Sequence, residues 1–177
     1  MENVKDCYVR LARETLETYV KERKIIDTNK LTLPREMKEQ RAGVFVSIKT
    51  KDGNLRGCIG TISPYTCNIA EEIVNNTVSA GTCDPRFIPV REHELENLVY
   101  SVDILKSPEE ISSKTELDVN KYGVIVRKGG RSGLLLPNLE GVDTPDDQIS
   151  IALRKAGIGK NENFKMERFE VIRHEEA

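Results

Sequence analysis

The stretch Leu55-Arg56-Gly57-Cys58-Ile59-Gly60-Thr61 constrains this chain more than any other, because it has the apolar residues of a strand but two glycines where a strand would ordinarily pack side chains. Side chains alternate faces along a strand, so Leu55, Gly57 and Ile59 fall on one face and Arg56, Cys58 and Gly60 on the other. Glycine inside a strand weakens it and marks a bulge or a close approach by a ligand or another backbone. The same alternation sets a guanidinium beside a thiol, and a cation favours the thiolate. The stretch therefore reads as a site. Cys58 is its candidate nucleophile, Arg56 the residue that would favour the ionised form, and Gly57, Gly60 and Thr61 its binding surface. The competing reading is that Cys58 fills a small buried space, as free cysteines commonly do.

The elements around this strand follow from periodicity and punctuation. Asn3 to Lys24 carries Val4, Cys7, Tyr8, Leu11, Thr15, Leu16, Tyr19 and Val20 on one helical face. Ile25 to Gln40 reads as a connector. Gly43 to Thr50 alternates as a strand, and Lys51-Asp52-Gly53-Asn54 folds it back on the signature strand as a hairpin. Cys67 to Gly81 has helical spacing, with Cys67 packed on its apolar face. Glu92 to Glu96 reads as a helical turn and Leu98 to Leu105 as a strand. Pro108 to Asn120 is a surface connector. Tyr122 to Arg127 and Ser132 to Leu136 form a second hairpin through Lys128-Gly129-Gly130-Arg131. Thr144-Pro145-Asp146-Asp147 opens a helix to Ala156, closed by Gly157, and Lys165 to Arg173 ends the chain as one strand. Hairpins interrupted by helices predict an α+β fold, mainly antiparallel sheet with helices packed on one side.

Two further features carry chemistry. In Asp84-Pro85-Arg86-Phe87 the proline forces Asp84 into an extended conformation. Arg86 could then hold an anionic group while Asp84 acts as acceptor or base, and the plainer alternative is an ion pair that fixes the loop. Lys121, Arg127, Lys128 and Arg131 form a basic set about the second hairpin, suited to phosphate or to an acidic partner, or simply a solvated hairpin tip. The lack of interleaved aromatics weakens an RNA reading.

The signature heptad, together with Arg41-Ala42-Gly43-Val44-Phe45-Val46, Asp84-Pro85-Arg86-Phe87, Gly133-Leu134-Leu135-Leu136-Pro137 and Lys155-Ala156-Gly157, resembles the AMMECR domain family, whose prokaryotic members are called AmmeMemoRadiSam system protein A. The resemblance implies a single domain over residues 1–177, made of two subdomains with a cleft between them. It also implies a Memo-like protein and a radical SAM enzyme as partners, and an activity that the family has not settled. Some relatives carry a cysteine before the Lys-Ala-Gly segment, and Leu153-Arg154 has none, which weakens any mechanism that needs a second thiol there.

Composition narrows the function classes. At 177 residues the chain can bury a core without metal or disulfide, and with 5% aromatics and no Trp that core must be aliphatic. A formal charge of -2 argues against bulk nucleic-acid binding. Cys7, Cys58, Cys67 and Cys83 lack a Cys-x-x-Cys pair, and His93 and His174 lie in charged segments that read as exposed. No metal site, cofactor motif, disulfide framework or Cys-His dyad is expected. With no apolar run near membrane length and a polar start, the expected location is the cytoplasm, away from membranes. Two functions remain: a thiol-dependent enzyme component that binds a small polar or anionic substrate around Cys58, or a non-catalytic protein-interaction module. RNA or nucleotide binding is the weaker alternative.

Overall fold

The computed structural model describes residues 6–176, arranged as two compact units. One runs as far as Ile104 and takes in the chain from Arg173 onward, and the other spans Leu105–Ile172.

In the first unit, helix α1 covers Cys7–Glu22. The Asp6 carboxylate caps it by accepting from the Tyr8 and Val9 amides, and Arg23 ends it in a left-handed conformation, φ 56°. Val4, assigned to its apolar face, lies outside the described residues. A five-residue helix α2, Arg35–Glu39, occupies part of the segment read as connector and buries Met37. Strands β1, Val44–Thr50, and β2, Leu55–Gly60, form the expected hairpin, with Gly53 at φ 91° in its turn. Helix α3, Ile69–Thr82, starts after Cys67 because the Asn68 side chain caps it through the Glu71 amide at 2.9 Å. Cys67 therefore stands ahead of the helix and exposed, which corrects its assignment to a buried helical face. After a 3-10 turn at Glu92–Asn97, strand β3, Leu98–Leu105, pairs antiparallel with β1.

Val44, Val46 and Ile48 of β1 are fully buried, with Tyr100 and Val102 of β3, in a core that includes Leu11 and Leu16 of α1 and Ile73 of α3. The intervening residues Phe45 and Ser47 point the other way and are half-buried.

The second unit contains β4 (Glu109–Ile111), β5 (Gly123–Lys128), β6 (Arg131–Leu135), α4 (Pro145–Ala156) and β7 (Lys165–Phe169). Its sheet order is β4-β7-β5-β6, all pairs antiparallel, with α4 packed on β5 and β6. Thr144 caps α4 and Gly157 ends it at φ 66°, as the sequence pattern requires. The final strand is divided at Glu170. β7 belongs to this sheet, whereas β8, Val171–Glu175, completes the other in the order β2-β1-β3-β8. The fold is thus α+β with antiparallel sheet, as expected, divided between two four-stranded sheets. Among the described residues no helix is long and apolar enough to cross a membrane.

Candidate functional site

Cys58 sits on the edge strand β2 directly opposite Ser47, and its thiol is hydrogen-bonded to the Ser47 hydroxyl at 3.2 Å. Its peptide groups face away from β1. Such an unpaired edge must be covered, or it becomes a template for another strand. The cover is the segment after α3: the Cys58 amide donates to the Asp84 carboxylate at 3.0 Å, and Arg86 Nη2 reaches the Cys58 carbonyl at 3.4 Å.

Asp84 is 4% exposed and also accepts from the Arg86 amide at 3.1 Å, Nε at 3.0 Å and Nη2 at 2.7 Å. The Arg86 hydrogen bonds hold its carboxyl well below the usual carboxylate range, against burial, which pushes the other way. The Arg86 side chain keeps 55% of its surface exposed. A buried carboxylate thus fixes, at one point, a half-buried thiol's backbone and a solvent-facing guanidinium. Arg86 is also within electrostatic reach of Cys58.

Arg56 shares the Cys58 face by alternation, but its guanidinium is bound bidentately to Glu94 at 2.8 and 3.1 Å. It lies 5.9 Å from the Phe87 ring centre, with Arg86 at 5.5 Å. Nothing in the sequence links Arg56 to Glu94, 38 residues on. The guanidinium that reaches Cys58 is that of Arg86.

The glycines of the signature strand are occupied by packing. A Cβ on Gly57 would overlap the Ala80 carbonyl oxygen of α3, and one on Gly60 would overlap the ring of Phe45, its partner across the hairpin. Thr61 donates to the buried Glu72 at 2.6 Å and accepts from Asn76 at 3.2 Å. Glu72, which the sequence reading passed over, is 1% exposed and also accepts from the Tyr65 and Thr66 amides and the Thr66 hydroxyl. Burial raises its pKa, yet the hydrogen bonds from Thr61 and Thr66 and from the Thr66 and Tyr65 amides leave it below the ordinary glutamate value.

The other thiols differ in setting. Cys67 and Cys83 are exposed; Cys7 is half-buried, 3.8 Å from the Met37 sulfur, with its thiol pushed up by burial and then by Asp6. His93 is exposed, but His174, expected to be exposed, is half-buried. It stacks on Tyr8 at 3.8 Å with Nδ1 2.7 Å from Asp6, because β8 runs through the sheet of the first unit. No cluster of three or more His, Cys, Asp or Glu suited to a metal occurs among the described residues.

In the second unit Arg127 pairs with Glu167 at 2.5 Å, Lys128 and Arg131 with Glu162 at 2.9 and 2.8 Å, and Lys121 with Glu170 at 3.6 Å. Each member of the basic set thus has a carboxylate partner, with Lys128 and Arg131 sharing Glu162 and Lys121 sharing Glu170 with Lys106.

The AMMECR1 family model matches residues 9–175. A protein of Clostridium acetobutylicum is 51% identical over 98% of the chain, which spans 36% of that relative's length. A protein of Thermotoga maritima is 48% identical over 94% of the chain and 96% of its own length. The crystal structure of an uncharacterized protein from Pyrococcus horikoshii superposes with a TM-score of 0.85 at 34% identity, covering 94% of this chain and 88% of that one. Matched over nearly its whole length, the chain belongs to the AMMECR1 family.

Proposed function

We propose that the chain binds a small anionic ligand at Arg86, with the Cys58 thiol held beside it as nucleophile or anchor. The observation that supports this is the double engagement of Asp84, which accepts from both the Cys58 amide and the Arg86 guanidinium. A guanidinium whose inner edge is tied to a buried carboxylate keeps a fixed direction and presents its remaining donors to solvent, so a bound anion need not restrain a mobile side chain. In this reading Asp84 is the positioning residue, while Arg56, tied to Glu94 beside the Phe87 ring, braces the framework without setting the potential at the thiol. Gly57, Gly60 and Thr61 hold the framework around the site. A Memo-like protein and a radical SAM enzyme remain the proposed partners, and residues 1–177 one functional domain.

The test uses two alkylating reagents of similar size and opposite character. In a Cys67→Ser/Cys83→Ser protein, the rate of Cys58 modification by iodoacetate is divided by that for iodoacetamide. The thiolate sulfur displaces iodide in both reactions, so the ratio reads the local potential rather than nucleophilicity. We expect a ratio several-fold above that of a free cysteine peptide, returning to the peptide value in Arg86→Gln while Arg56→Gln leaves it raised. An unreactive Cys58, or a ratio equal to the peptide's, overturns the proposal. The interaction-module reading, favoured by the closed Arg56–Glu94 pair, would then stand.

A further inference from the structure

A surface depression of about 450 Å³ lies between the end of α1 and the segment leading out of the Asp84 turn. Its apolar wall is Val20, Ile88, Pro89 and Val90, and Arg23 and Arg91 stand on its rim. None of these side chains is hydrogen-bonded to Cys58, Asp84 or Arg86; the Arg91 amide donates to Glu94 at 2.8 Å.

The segment that builds the wall is held at both ends. Asp84 is buried and its carbonyl accepts from the Phe87 amide at 3.1 Å; Val90 is 3% exposed and donates to the Gly81 carbonyl at 2.8 Å. Between these anchors Ile88 is 66% exposed, and Pro89 follows it with a fixed φ. A bulky apolar side chain is thus held in water by a backbone with little freedom left to lose. That is the arrangement that makes binding inexpensive in conformational entropy.

The rim has its own character. Arg23 sits in the left-handed cap of α1 with its guanidinium over the Tyr19 ring at 5.7 Å. Neither Arg23 nor Arg91 forms an ion pair among the described residues, whereas Arg10, Arg13, Arg56, Arg86, Arg127 and Arg131 all do. In a chain with formal charge -2, two unneutralised arginines on one apolar depression are a local exception. Glu92, also on the rim, forms no ion pair with either, so the donors remain available.

We infer that this depression docks a short acidic segment of a partner protein. One leucine- or phenylalanine-sized side chain of that segment packs on Ile88 and Val20, and flanking carboxylates pair with Arg23 and Arg91. The apolar wall supplies the anchor and the arginines select the register, the division of labour expected of small interfaces.

The experiment is selection of a random-peptide phage library on the intact chain, followed by fluorescence anisotropy of the enriched peptide. The expected consensus is a bulky apolar residue flanked by Asp or Glu, binding at a dissociation constant on the order of micromolar and weakening with added salt. Ile88→Asp and the double variant Arg23→Gln/Arg91→Gln should each weaken it by about tenfold or more without lowering the melting temperature. Arg86→Gln should leave it unchanged, which separates this surface from the proposed anion site. If Ile88→Asp does not fold, the arginine variant decides. Absence of an enriched consensus, a basic or uncharged consensus, or binding to either folded variant as tight as to the wild type overturns the inference, as does loss of binding in Arg86→Gln alone.

Discussion

Gly133 of β6 lies so close to Ala152 of α4 that a Cβ on the glycine would overlap the alanine's carbonyl oxygen. Gly57 of β2 stands in the same relation to Ala80 of α3. In each unit, then, the second strand of a hairpin gives up a side chain so that a helix backbone can settle on the sheet. Gly57 is accounted for by this packing, and Gly60 of the same strand by the Phe45 ring that lies over it.

The helix backbone cannot swing aside as a side chain can. Gly57→Ala and Gly133→Ala are therefore expected to destabilise by about 2 to 4 kcal/mol, at or above the upper end of ordinary overpacking. Gly60→Ala meets only the Phe45 ring, which has a rotatable bond, and should cost less than either. Urea denaturation of the three variants checks the order. A Gly57→Ala protein as stable as the wild type would mean that α3 shifts freely on the sheet.

The Asp84 carboxylate is the common partner of Cys58 and Arg86, and Asp84→Asn removes its charge while keeping its shape. Because Arg86 can turn into solvent, the variant leaves no buried cation. The expected loss is about 2 kcal/mol at neutral pH, from charge-assisted hydrogen bonds to a buried group. The folded pKa is lowered, chiefly by Arg86, so the stabilisation is fully present above the unfolded value near 4 and is lost as pH falls below it. Wild type and variant should converge in acid. A stability difference that persists unchanged to pH 2 would contradict the assignment.

How far the sequence went depends on the range of the interaction. The limits of α4 were legible because Thr144, Pro145 and Gly157 each act on their own backbone. The β1–β2 hairpin was legible because Gly53 determines its turn locally. The start of α3 could have been read from Asn68 with Glu71 three residues on, but the apolar spacing carried the reading past the cap to Cys67. The division of the last strand at Glu170 has no local mark, since β7 and β8 differ in the sheet they join rather than in composition. At the site, alternation sets Arg56 and Cys58 on one face but carries no sign of which carboxylate each guanidinium is paired with. Arg56 is paired with Glu94 and Arg86 with Asp84, and Glu94 and Asp84 lie 38 and 26 residues from Arg56 and Cys58. A sequence shows which residues can form ion pairs and only the fold shows which do.

The pinning of the 61–66 segment by Glu72 leads to a prediction of a different kind. This carboxylate is buried and its partners are hydroxyls and amides, with no cation among them: the Thr61 and Thr66 hydroxyls at 2.6 Å and the Tyr65 and Thr66 amides at 3.0 and 2.9 Å. Glu72→Gln substitutes an amide group for one of the two oxygens, so either the Tyr65 and Thr66 amides face a donor or the Thr61 hydroxyl loses the acceptor for its proton. The expected loss is about 2 to 3 kcal/mol. Its pKa is lowered despite burial, so this contribution too is complete above the unfolded glutamate value and declines as pH falls below it. Salt distinguishes it from the surface pairs. Hydrogen bonds inside the fold are not reached by counterions, whereas the exposed pairs of Glu162 with Lys128 and Arg131 are screened. The Glu72→Gln deficit should therefore be the same at low salt and in about 0.5 M sodium chloride, beyond a Debye length of a few ångströms. Any effect of Glu162→Gln should shrink over the same interval. Should the Glu72→Gln deficit fall with salt, the carboxylate would have to be paired with a cation, and the rigid 61–66 segment would owe its order to charge rather than to these four hydrogen bonds.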